Sequence, residues 1–293
     1  MPKASRTAHR LSAKPVPISK SSESEAANLR SMTILEEICA RKRRDLEMAK
    51  EMVTPRELYR KVEALMDGPA SGRSLSGALV QSSTGIIAEF KRRSPSKGWI
   101  KESGRPEVIP PSYERAGAAA LSILTDEPYF GGSNDYLRTA RSLVSLPILR
   151  KDFIVDEYQV FEAKEMGADA VLLIAACLGR EELRTLAHTA RSLGLEILLE
   201  IHGESELDYI GQDVSVVGVN NRDLHVFHTD VQTSVDLAPK IGAEFVKISE
   251  SGIKSAGDIR MLRMCGYSGF LMGERFMRED DPGKALAEFI AEI

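Results

Sequence analysis

The chain has 293 residues, of which 43% are hydrophobic, enough for one large domain or two small ones with a substantial buried core. This composition excludes collagen-like, fibrous and wholly disordered chains. Lys and Arg number 39 against 43 Asp and Glu, and the formal net charge of −4 predicts neither nucleic-acid binding nor attraction to an anionic membrane. No apolar run approaches the roughly 20 residues that cross a bilayer.

Residues 1–31 are predicted to form a disordered tail. The first 22 residues contain five Lys or Arg, no acidic residue, five Ser and three Pro, a composition that cannot bury a core. A transit peptide has a similar composition, although Pro15 and Pro17 interrupt any amphipathic helix. A third interpretation is that translation starts at Met32, because a helix signal follows directly.

An amphipathic helix is predicted from Thr33, which forms a capping box with Glu36. Its apolar stripe is interrupted only by Lys42 and consists of Leu35, Ile38, Cys39, Leu46 and Ala49. The basic run at 41–44 has no interleaved aromatic residue, which favours a solvated helix face over a nucleic-acid contact.

A second short helix is predicted to open at Thr54-Pro55, with Leu58, Val62 and Leu65 on one stripe. The N-terminal helices together span residues 33–66, and we assign residues 32–293 to a single domain.

Beyond residue 84, eight short apolar runs alternate with amphipathic stretches. The predicted strands are IIAEFK from Ile86, ALSILT from Ala120, PILRK from Pro147, AVLLIA from Ala170, LEILLE from Leu195, VSVVGVN from Val214, EFVKIS from Glu244 and GFLMG from Gly269. The predicted helices lie near 110–117, 134–145, 156–166, 180–193, 204–210, 231–240, 256–265 and 282–291. Signals for helix starts and ends are Ser133, Asp156, Gly117, Gly167, Gly194, Gly242 and Gly266.

Strict alternation of strand and helix predicts an α/β fold with a parallel sheet. The strand starts are about 26 residues apart on average, the length of a compact strand-helix unit. Eight such units favour a closed (β/α)8 TIM barrel, whose active site lies at the C-terminal ends of the strands. An open doubly wound sheet is the alternative, but no G-x-G-x-x-G follows the first strand.

Polar residues end five of the predicted strands, where a barrel places its chemistry. Glu89 and Lys91 share one face of the first strand by the two-residue period. The other four strand ends are Lys151, Glu200, Asn220-Asn221-Arg222 and Ser249-Glu250-Ser251-Gly252. A buried ion pair or ordinary solvation could explain any one of them, whereas the whole set predicts a catalytic rim. Clustered lysines and glutamates are expected to perturb one another's pKa, which can make a lysine an acid near neutrality.

An anion site is predicted near the end of the chain. Ser251-Gly252 precedes the seventh helix and Gly273 follows the eighth strand, positions where barrels bind phosphate through backbone N–H groups. Either glycine alone is more typical of a turn. His225 and His228 lack a third nearby ligand, and Cys39, Cys177 and Cys265 are far apart, so we predict no metal, no disulfide framework and a reducing compartment.

With these residues in place, residues 32–293 closely resemble indole-3-glycerol-phosphate synthases. The matching motifs, in order and spacing, are IAEFKRRSPSKG at 87–98, ALSILTDEPYFGGS at 120–133, LPILRKDFIVDEYQV at 146–160, LLEIH at 198–202, GVNNRDL at 218–224 and SESGI at 249–253. The family has helices before the first strand that help to cover the active-site mouth. The resemblance therefore implies a TIM barrel with an N-terminal helical extension over its catalytic face.

The resemblance implies ring closure of 1-(2-carboxyphenylamino)-1-deoxyribulose 5-phosphate to indole-3-glycerol phosphate, carbon dioxide and water, in tryptophan biosynthesis. It implies Lys151 as the acid of the condensation, Glu200 as the base of the dehydration, and Lys91 as its acid or as the partner of the substrate carboxylate. The other implied residues are Glu89 to tune Lys91, Asn220 to bind the reacting sugar, Ser94 and Arg222 to hold the substrate, Ser251, Gly252 and Gly273 to bind phosphate, and Phe130 and Phe153 to flank the ring.

The resemblance also implies a cytoplasmic enzyme without metal or organic cofactor, monomeric or weakly homo-oligomeric, with other tryptophan-pathway enzymes as conceivable partners. A transit peptide would make it organellar. Glu274 follows Gly273 where many relatives have a small hydroxyl residue, so only its backbone is expected to contact phosphate. Alternatives are another ribulose-phosphate barrel, such as an isomerase or a Schiff-base aldolase using Lys91, Lys151 or Lys247, and a non-enzymatic scaffold.

Overall fold

All eight predicted strands form and pair in parallel, in sequence order, to close a barrel. We number them β1 Ile86–Phe90, β2 Ala120–Leu124, β3 Ile148–Lys151, β4 Ala170–Ile174, β5 Glu196–Ile201, β6 Val216–Asn220, β7 Val246–Glu250 and β8 Gly269–Met272. The computed structural model describes residues 33–69, 71–222 and 228–293. The predicted tail at 1–31 lies outside these ranges, so the division of the chain at residue 31 stays a prediction.

The strands of the closed barrel are largely buried on both faces. Every residue of β1, β2, β4 and β8 is buried, as expected for parallel strands that face side chains inside and helices outside. The first and last strands pair through Ile86 with Phe270 and Ile87 with Leu271. The TIM barrel is confirmed and the open doubly wound sheet is wrong.

Twelve α-helices lie in the described ranges. They are α1 Ile34–Met52, α2 Pro55–Met66, α3 Leu75–Gln81, α4 Ile109–Ala116, α5 Glu127–Phe130, α6 Asn134–Arg141, α7 Glu157–Met166, α8 Arg180–Ser192, α9 Gln232–Leu237, α10 Ala256–Met264, α11 Glu274–Met277 and α12 Pro282–Ile290. Short 3-10 helices occupy Ala175–Cys177, Glu204–Tyr209 and Ala238–Lys240. None of the helices in these ranges is both long and apolar enough to cross a membrane.

The predicted helix starts and ends are mostly confirmed. Ser133 caps α6, Asp156 caps α7, and the left-handed glycines Gly117 and Gly167 end α4 and α7. The helical stretch predicted near 204–210 also forms, as a single short 3-10 helix at Glu204–Tyr209.

The helix α3 was not predicted, and it lies at the N-terminal end of the barrel. Ser74 and Ser76 donate hydrogen bonds to Glu196, the first residue of β5, at 2.9 and 2.6 Å. Leu75 and Leu79 are buried in the cluster that fills the barrel interior. This helix therefore plugs the end of the barrel opposite to the strands' C-terminal ends.

The predicted apolar stripe of α1 is confirmed, with Leu35, Ile38, Cys39 and Leu46 buried and Ala49 partly buried. The helix α2 packs on α7 and buries Leu58 and Val62. Leu65 was predicted to share that stripe, but it is 50% exposed because it lies in the last turn, beyond the buried part of the α2 stripe.

Candidate active site

A cavity of about 220 Å³ lies at the C-terminal ends of the strands. Of the residues that the sequence predicted for the site, those that line this cavity are Glu89, Lys91, Phe130, Lys151, Phe153, Glu200, Asn220, Arg222, Ser251, Gly252, Gly273 and Glu274. Ser94 does not line it, although its neighbours Pro95 and Ser96 do. The buried hydroxyl of Ser94 has no hydrogen-bond partner in the described part of the chain.

The ammonium group of Lys151 lies at the centre of the site, between two buried carboxylates. Its Nζ donates to Oε2 of Glu200 at 2.8 Å and to Oε2 of Glu250 at 2.7 Å. The other oxygen of Glu200 accepts a hydrogen bond from Nδ2 of Asn220 at 3.1 Å. Side chains at the C-terminal ends of four strands, β3, β5, β6 and β7, thus form one hydrogen-bonded cluster.

The cluster perturbs the pKa of Lys151, as expected, but in the direction that makes this lysine a weaker acid. Burial alone would lower its pKa, but the charges of Glu200, Glu250 and Glu89 raise it more, to well above the usual range. Lys151 is therefore an ammonium at neutral pH, with its proton shared with carboxylates.

Glu200 and Glu250 differ in pKa although both contact Lys151. Burial tends to raise the pKa of Glu200, but Lys151 and His202 lower it below the usual range. His202 Nε2 lies 3.3 Å from Glu200 Oε1. Burial raises the pKa of Glu250 to about 7, the Lys151 charge opposes the rise, and the charge of Glu200 adds to it. Oε1 of Glu250 is buried without a hydrogen-bond partner among the described residues.

Glu250 received no individual role from the sequence, although it is the last residue of β7 and Glu200 is the last but one of β5. The sequence signal was present in the Ser249-Glu250-Ser251-Gly252 run, whose hydroxyl and glycine residues were assigned to phosphate instead. A single strand-end carboxylate is most often solvated, and only the closed barrel shows that this one is 1% exposed beside Lys151.

Glu89 and Lys91 point to the same side, as the two-residue period of β1 predicts. Lys91 Nζ lies 2.5 Å from Oε1 of Glu89, whose side chain is 4% exposed. Gly273 packs directly on this carboxylate, since a Cβ at position 273 would lie 2.8 Å from Oε1. A glycine at the end of β8 is therefore required to leave room for Glu89.

Two successive residues after β7 have left-handed backbone, Ser251 with φ of 67° and Gly252 with φ of 76°. Ser251 is the one non-glycine residue with this conformation in the part of the chain that the structure describes, and such a conformation costs of order 1 kcal/mol or more. Asn221 stabilises the turn by donating to the carbonyl of Ser251 at 3.0 Å. A Cβ on Gly252 would lie 2.7 Å from Thr229.

Glu274 begins α11 directly after Gly273 and lines the cavity. Its carboxylate pairs with Arg278 one turn later in the chain. This pairing supports the expectation that the Glu274 side chain turns away from a phosphate bound at the backbone.

The rest of the cavity wall is largely apolar. The rings of Phe130 and Phe153 have centroids 5.8 Å apart and are tilted by 37°. Additional apolar lining residues that the sequence did not assign to the site are Ile34, Leu35, Ile38, Leu124, Leu172, Ile174, Ile253, Leu271 and Met272. Three of these belong to α1, so this helix forms part of the cavity mouth.

Two further sequence candidates lie away from the cavity. Lys247, one of three considered as a Schiff-base lysine, sits near the start of β7 and donates to the carbonyl of Ala238 at 3.2 Å. His228 is exposed, and His225 lies outside the described residues. Within the described ranges no group of three metal-ligating side chains occurs.

Comparisons of the sequence identify close relatives over most of the chain. A family model described as "Indole-3-glycerol phosphate synthase" matches residues 35–289. An indole-3-glycerol phosphate synthase from Bacteroides thetaiotaomicron is 53% identical over 260 residues, which cover 89% of this chain and 98% of the relative. One from Bordetella pertussis is 44% identical over 259 residues, which cover 88% of this chain and 99% of the relative.

Solved structures with low sequence identity share the fold alone. A 3-hexulose-6-phosphate synthase from Salmonella typhimurium has a TM-score of 0.55 at 9% identity, covering 70% of this chain and 98% of that one. A mutant tryptophan synthase alpha-subunit from Pyrococcus furiosus has a TM-score of 0.54 at 13% identity, covering 72% of this chain and 98% of that one. Because the family match spans nearly the whole barrel and the relatives align over almost their full length, the chain belongs to the indole-3-glycerol phosphate synthase family.

Proposed function

We propose that the chain is a carboxy-lyase that converts 1-(2-carboxyphenylamino)-1-deoxyribulose 5-phosphate to indole-3-glycerol phosphate, carbon dioxide and water. The observation that carries the assignment of residues is the position of Lys151, an ammonium group held 2.8 and 2.7 Å from two buried carboxylates inside the cavity. An intramolecular condensation needs a positioned acid, a base, an anion site and exclusion of water.

In the first step, Lys151 donates its proton to the carbonyl oxygen of the ribulose chain. The carbonyl carbon becomes electrophilic, and the ring carbon that bears the carboxylate attacks it. The carbonyl oxygen takes the place of a carboxylate partner of Lys151, which removes part of the charge that raises the pKa of this lysine. The proton on Lys151 therefore becomes easier to transfer when the substrate is bound.

Loss of carbon dioxide then restores the aromatic ring. The apolar wall and the rings of Phe130 and Phe153 are suited to hold the anthranilate ring and to exclude water from it. Lys91 can pair with the substrate carboxylate in this step, or donate a proton in the next one. Its 2.5 Å contact with Glu89 fixes the ammonium group in either case.

Elimination of the hydroxyl group as water completes the indole. Glu200 is the proposed base, because it is ionised and Asn220 orients its second oxygen. Transfer of the Lys151 proton removes the main charge that lowers the pKa of Glu200, which makes Glu200 a stronger base for this step. Glu250, which the sequence did not assign, contacts the same lysine and titrates near pH 7. We therefore assign it a proton-holding role beside Lys151.

The phosphate group is assigned to the left-handed turn at Ser251-Gly252 and to Gly273, which follows β8. These residues line the cavity, and backbone N–H groups at such positions can bind an anion. Arg222, at the end of β6, also lines the cavity and supplies a positive charge. The substrate contact proposed for Ser94 requires that its hydroxyl group reach the cavity when the substrate is bound.

The proposal is tested by following indole fluorescence with the ribulose phosphate substrate in the wild type, Lys151→Ala and Glu200→Gln. Lys151→Ala is expected to lose nearly all activity, by about 1,000-fold or more, and to remain folded by circular dichroism. Glu200→Gln is expected to lose about 100-fold. Full activity in Lys151→Ala contradicts its role as the acid, and trapping of a substrate adduct by borohydride supports a Schiff-base enzyme instead.

The remaining parts of the proposal concern location and partners. We place the enzyme in the cytoplasm, which the three free thiols support because reducing compartments keep cysteines unpaired. The reaction as written needs no metal or organic cofactor, and elemental analysis of active protein tests this. A monomer or weak homo-oligomer is proposed, and light scattering measures it.

A further inference from the structure

A buried lysine on α1 connects three segments of the site. Lys42 interrupts the apolar stripe of α1, and its Nζ lies 2.8 Å from Oδ1 of Asp126 and 2.8 Å from Oδ1 of Asp152. The lysine side chain is 13% exposed and both carboxylates are 2% exposed. Burying three charges is costly, so the contact must be specific to be tolerated.

Each of the two aspartates belongs to a segment that carries an aromatic residue of the cavity. Asp126 accepts the backbone N–H of Tyr129 at 3.1 Å and caps α5, the short helix that ends in Phe130. Asp152 stands between Lys151 and Phe153, and its Oδ1 accepts the Phe153 N–H at 2.8 Å. One ammonium group therefore joins α1 to the supports of both aromatic rings.

The two carboxylates depend on Lys42 to different degrees. Asp152 also accepts hydrogen bonds from Thr125 at 2.6 Å and Arg150 at 3.2 Å. Lys42 and Arg150 overcome the effect of burial and lower the pKa of Asp152 to about 2. Asp126 has only Lys42 as a close cation among the described residues, and burial raises its pKa. Loss of Lys42 would leave Asp126 without its close cation, whereas Asp152 would keep its other partners. The contact between α1 and α5 would then depend on the hydroxyl of Tyr129, which donates to Glu37 of α1 at 2.8 Å.

We propose that Lys42 is a positioning residue for the aromatic end of the substrate. Its two ion pairs connect α1, which lines the cavity with Ile34, Leu35 and Ile38, to the supports of Phe130 and Phe153. Lys42 does not touch the reacting atoms, and the Lys151 cluster and the Ser251-Gly252 turn are built without it. The inference rests on the proposed function, because that function places an anthranilate ring between these side chains.

The same helix offers a matched control in Lys50, two turns further along α1. Lys50 Nζ lies 2.8 Å from Oδ2 of Asp156, the residue that caps α7. Neither Lys50 nor Asp156 lines the cavity. Lys50→Met therefore removes an ion pair that anchors α1 without removing a support of the aromatic wall.

The experiment compares Lys42→Met, Lys50→Met and Lys42→Arg in steady-state kinetics with the ribulose phosphate substrate. In Lys42→Met we expect KM to rise about tenfold and kcat to fall less than about threefold, because Lys151 keeps its partners. Lys50→Met should keep both constants within about twofold, and Lys42→Arg should recover part of the loss, since a guanidinium can also bridge two carboxylates.

Binding of two fragments separates positioning from a general loss of structure. In Lys42→Met the dissociation constant of 2-(methylamino)benzoate, measured by its fluorescence, should rise about tenfold. The dissociation constant of inorganic phosphate should stay within about twofold, because its proposed site does not depend on Lys42. If Lys42→Met does not fold, Asp126→Asn, which keeps the cap of α5 but removes one ion pair, should show the same pattern at smaller size.

Three results would overturn the inference: unchanged KM in folded Lys42→Met, an equal effect of Lys50→Met, or equal weakening of both fragments. Failure of the proposed function is distinguishable, because wild-type protein would then not turn over the ribulose phosphate. The fragment measurements do not require turnover and still test Lys42 in that case.

Discussion

The single positive charge of Lys151 pairs with two carboxylates, and the two carboxylates differ in how many further partners they have. Glu200 has His202 and Asn220 as further partners, whereas Glu250 has a buried oxygen without any partner in the described chain. Because Glu250 is buried and has fewer partners, its pKa is raised to about 7, so it is partly protonated at neutral pH. The site therefore stores a proton next to the acid and the base that the proposed reaction uses.

The raised pKa of Glu250 has a consequence for stability. The folded protein holds the Glu250 proton up to about pH 7, while the unfolded chain releases it near pH 4.5. The stabilisation from this group is thus fully present below pH 4.5 and is lost as the pH rises through 7, an effect on the order of 3 kcal/mol. We expect the free energy of unfolding of the wild type to fall more steeply between pH 5 and 8 than that of Glu250→Gln.

Urea denaturation at several pH values measures this difference. The comparison with Glu250→Gln isolates the carboxyl group, because all other titrating residues are common to both proteins. Parallel pH profiles of the wild type and the variant contradict the prediction.

Among single residues, the sequence was most informative where a charge interrupts an apolar pattern at a strand end. Lys151 and Glu200 were predicted in this way, and both line the cavity. Lys42 also interrupts an apolar stripe, yet its partners Asp126 and Asp152 are more than 80 residues away in the sequence. Nothing local indicates which carboxylates a helix will meet, so its role needed the folded chain.

At the level of elements, the long and strongly patterned segments were predictable and the short ones were not. The eight strands form short, mostly apolar runs, and α1, a helix of nineteen residues, carries a repeating apolar stripe. The helices α5 and α11 have four residues each, about one turn, and a single turn shows no periodicity. These two short helices carry Phe130 and Glu274, which is why their positions in the site could come only from the resemblance.

Substitutions in the helix α3 are expected to change stability without changing activity. Leu79 is 1% exposed in the barrel interior at the end opposite to the cavity, so Leu79→Ala is expected to lower the free energy of unfolding by about 2–5 kcal/mol. Its neighbour Val80 is 64% exposed, and Val80→Ala should change the free energy by no more than about 0.5 kcal/mol.

Urea denaturation and the fluorescence assay distinguish the two effects of Leu79→Ala. Because α3 does not line the cavity, kcat and KM of the folded variant should stay within about twofold of the wild type. A large loss of kcat in a variant that is fully folded under the assay conditions would show that α3 also affects the active site.

For the whole molecule, every described residue that lines the cavity lies between Ile34 and Arg275. A protein that begins at Met32 is therefore expected to keep the wild-type kcat and KM, because no lining residue is removed. The fluorescence assay on both forms checks this, with the thermal unfolding temperature as a second measurement. A loss of activity in the shorter form would assign a role to residues 1–31.

The position of α1 at the mouth of the barrel determines when the site can be completed during synthesis. Arg43 of α1 donates to the carbonyl of Val155, 112 residues later in the chain, and β1 pairs with β8. At ribosomal rates, 112 residues take on the order of ten seconds, during which the apolar stripe of α1 has no surface to cover. The first helix of the described chain is thus docked only after β3 has been synthesised, and until then the nascent chain carries an exposed apolar helix that chaperones can bind.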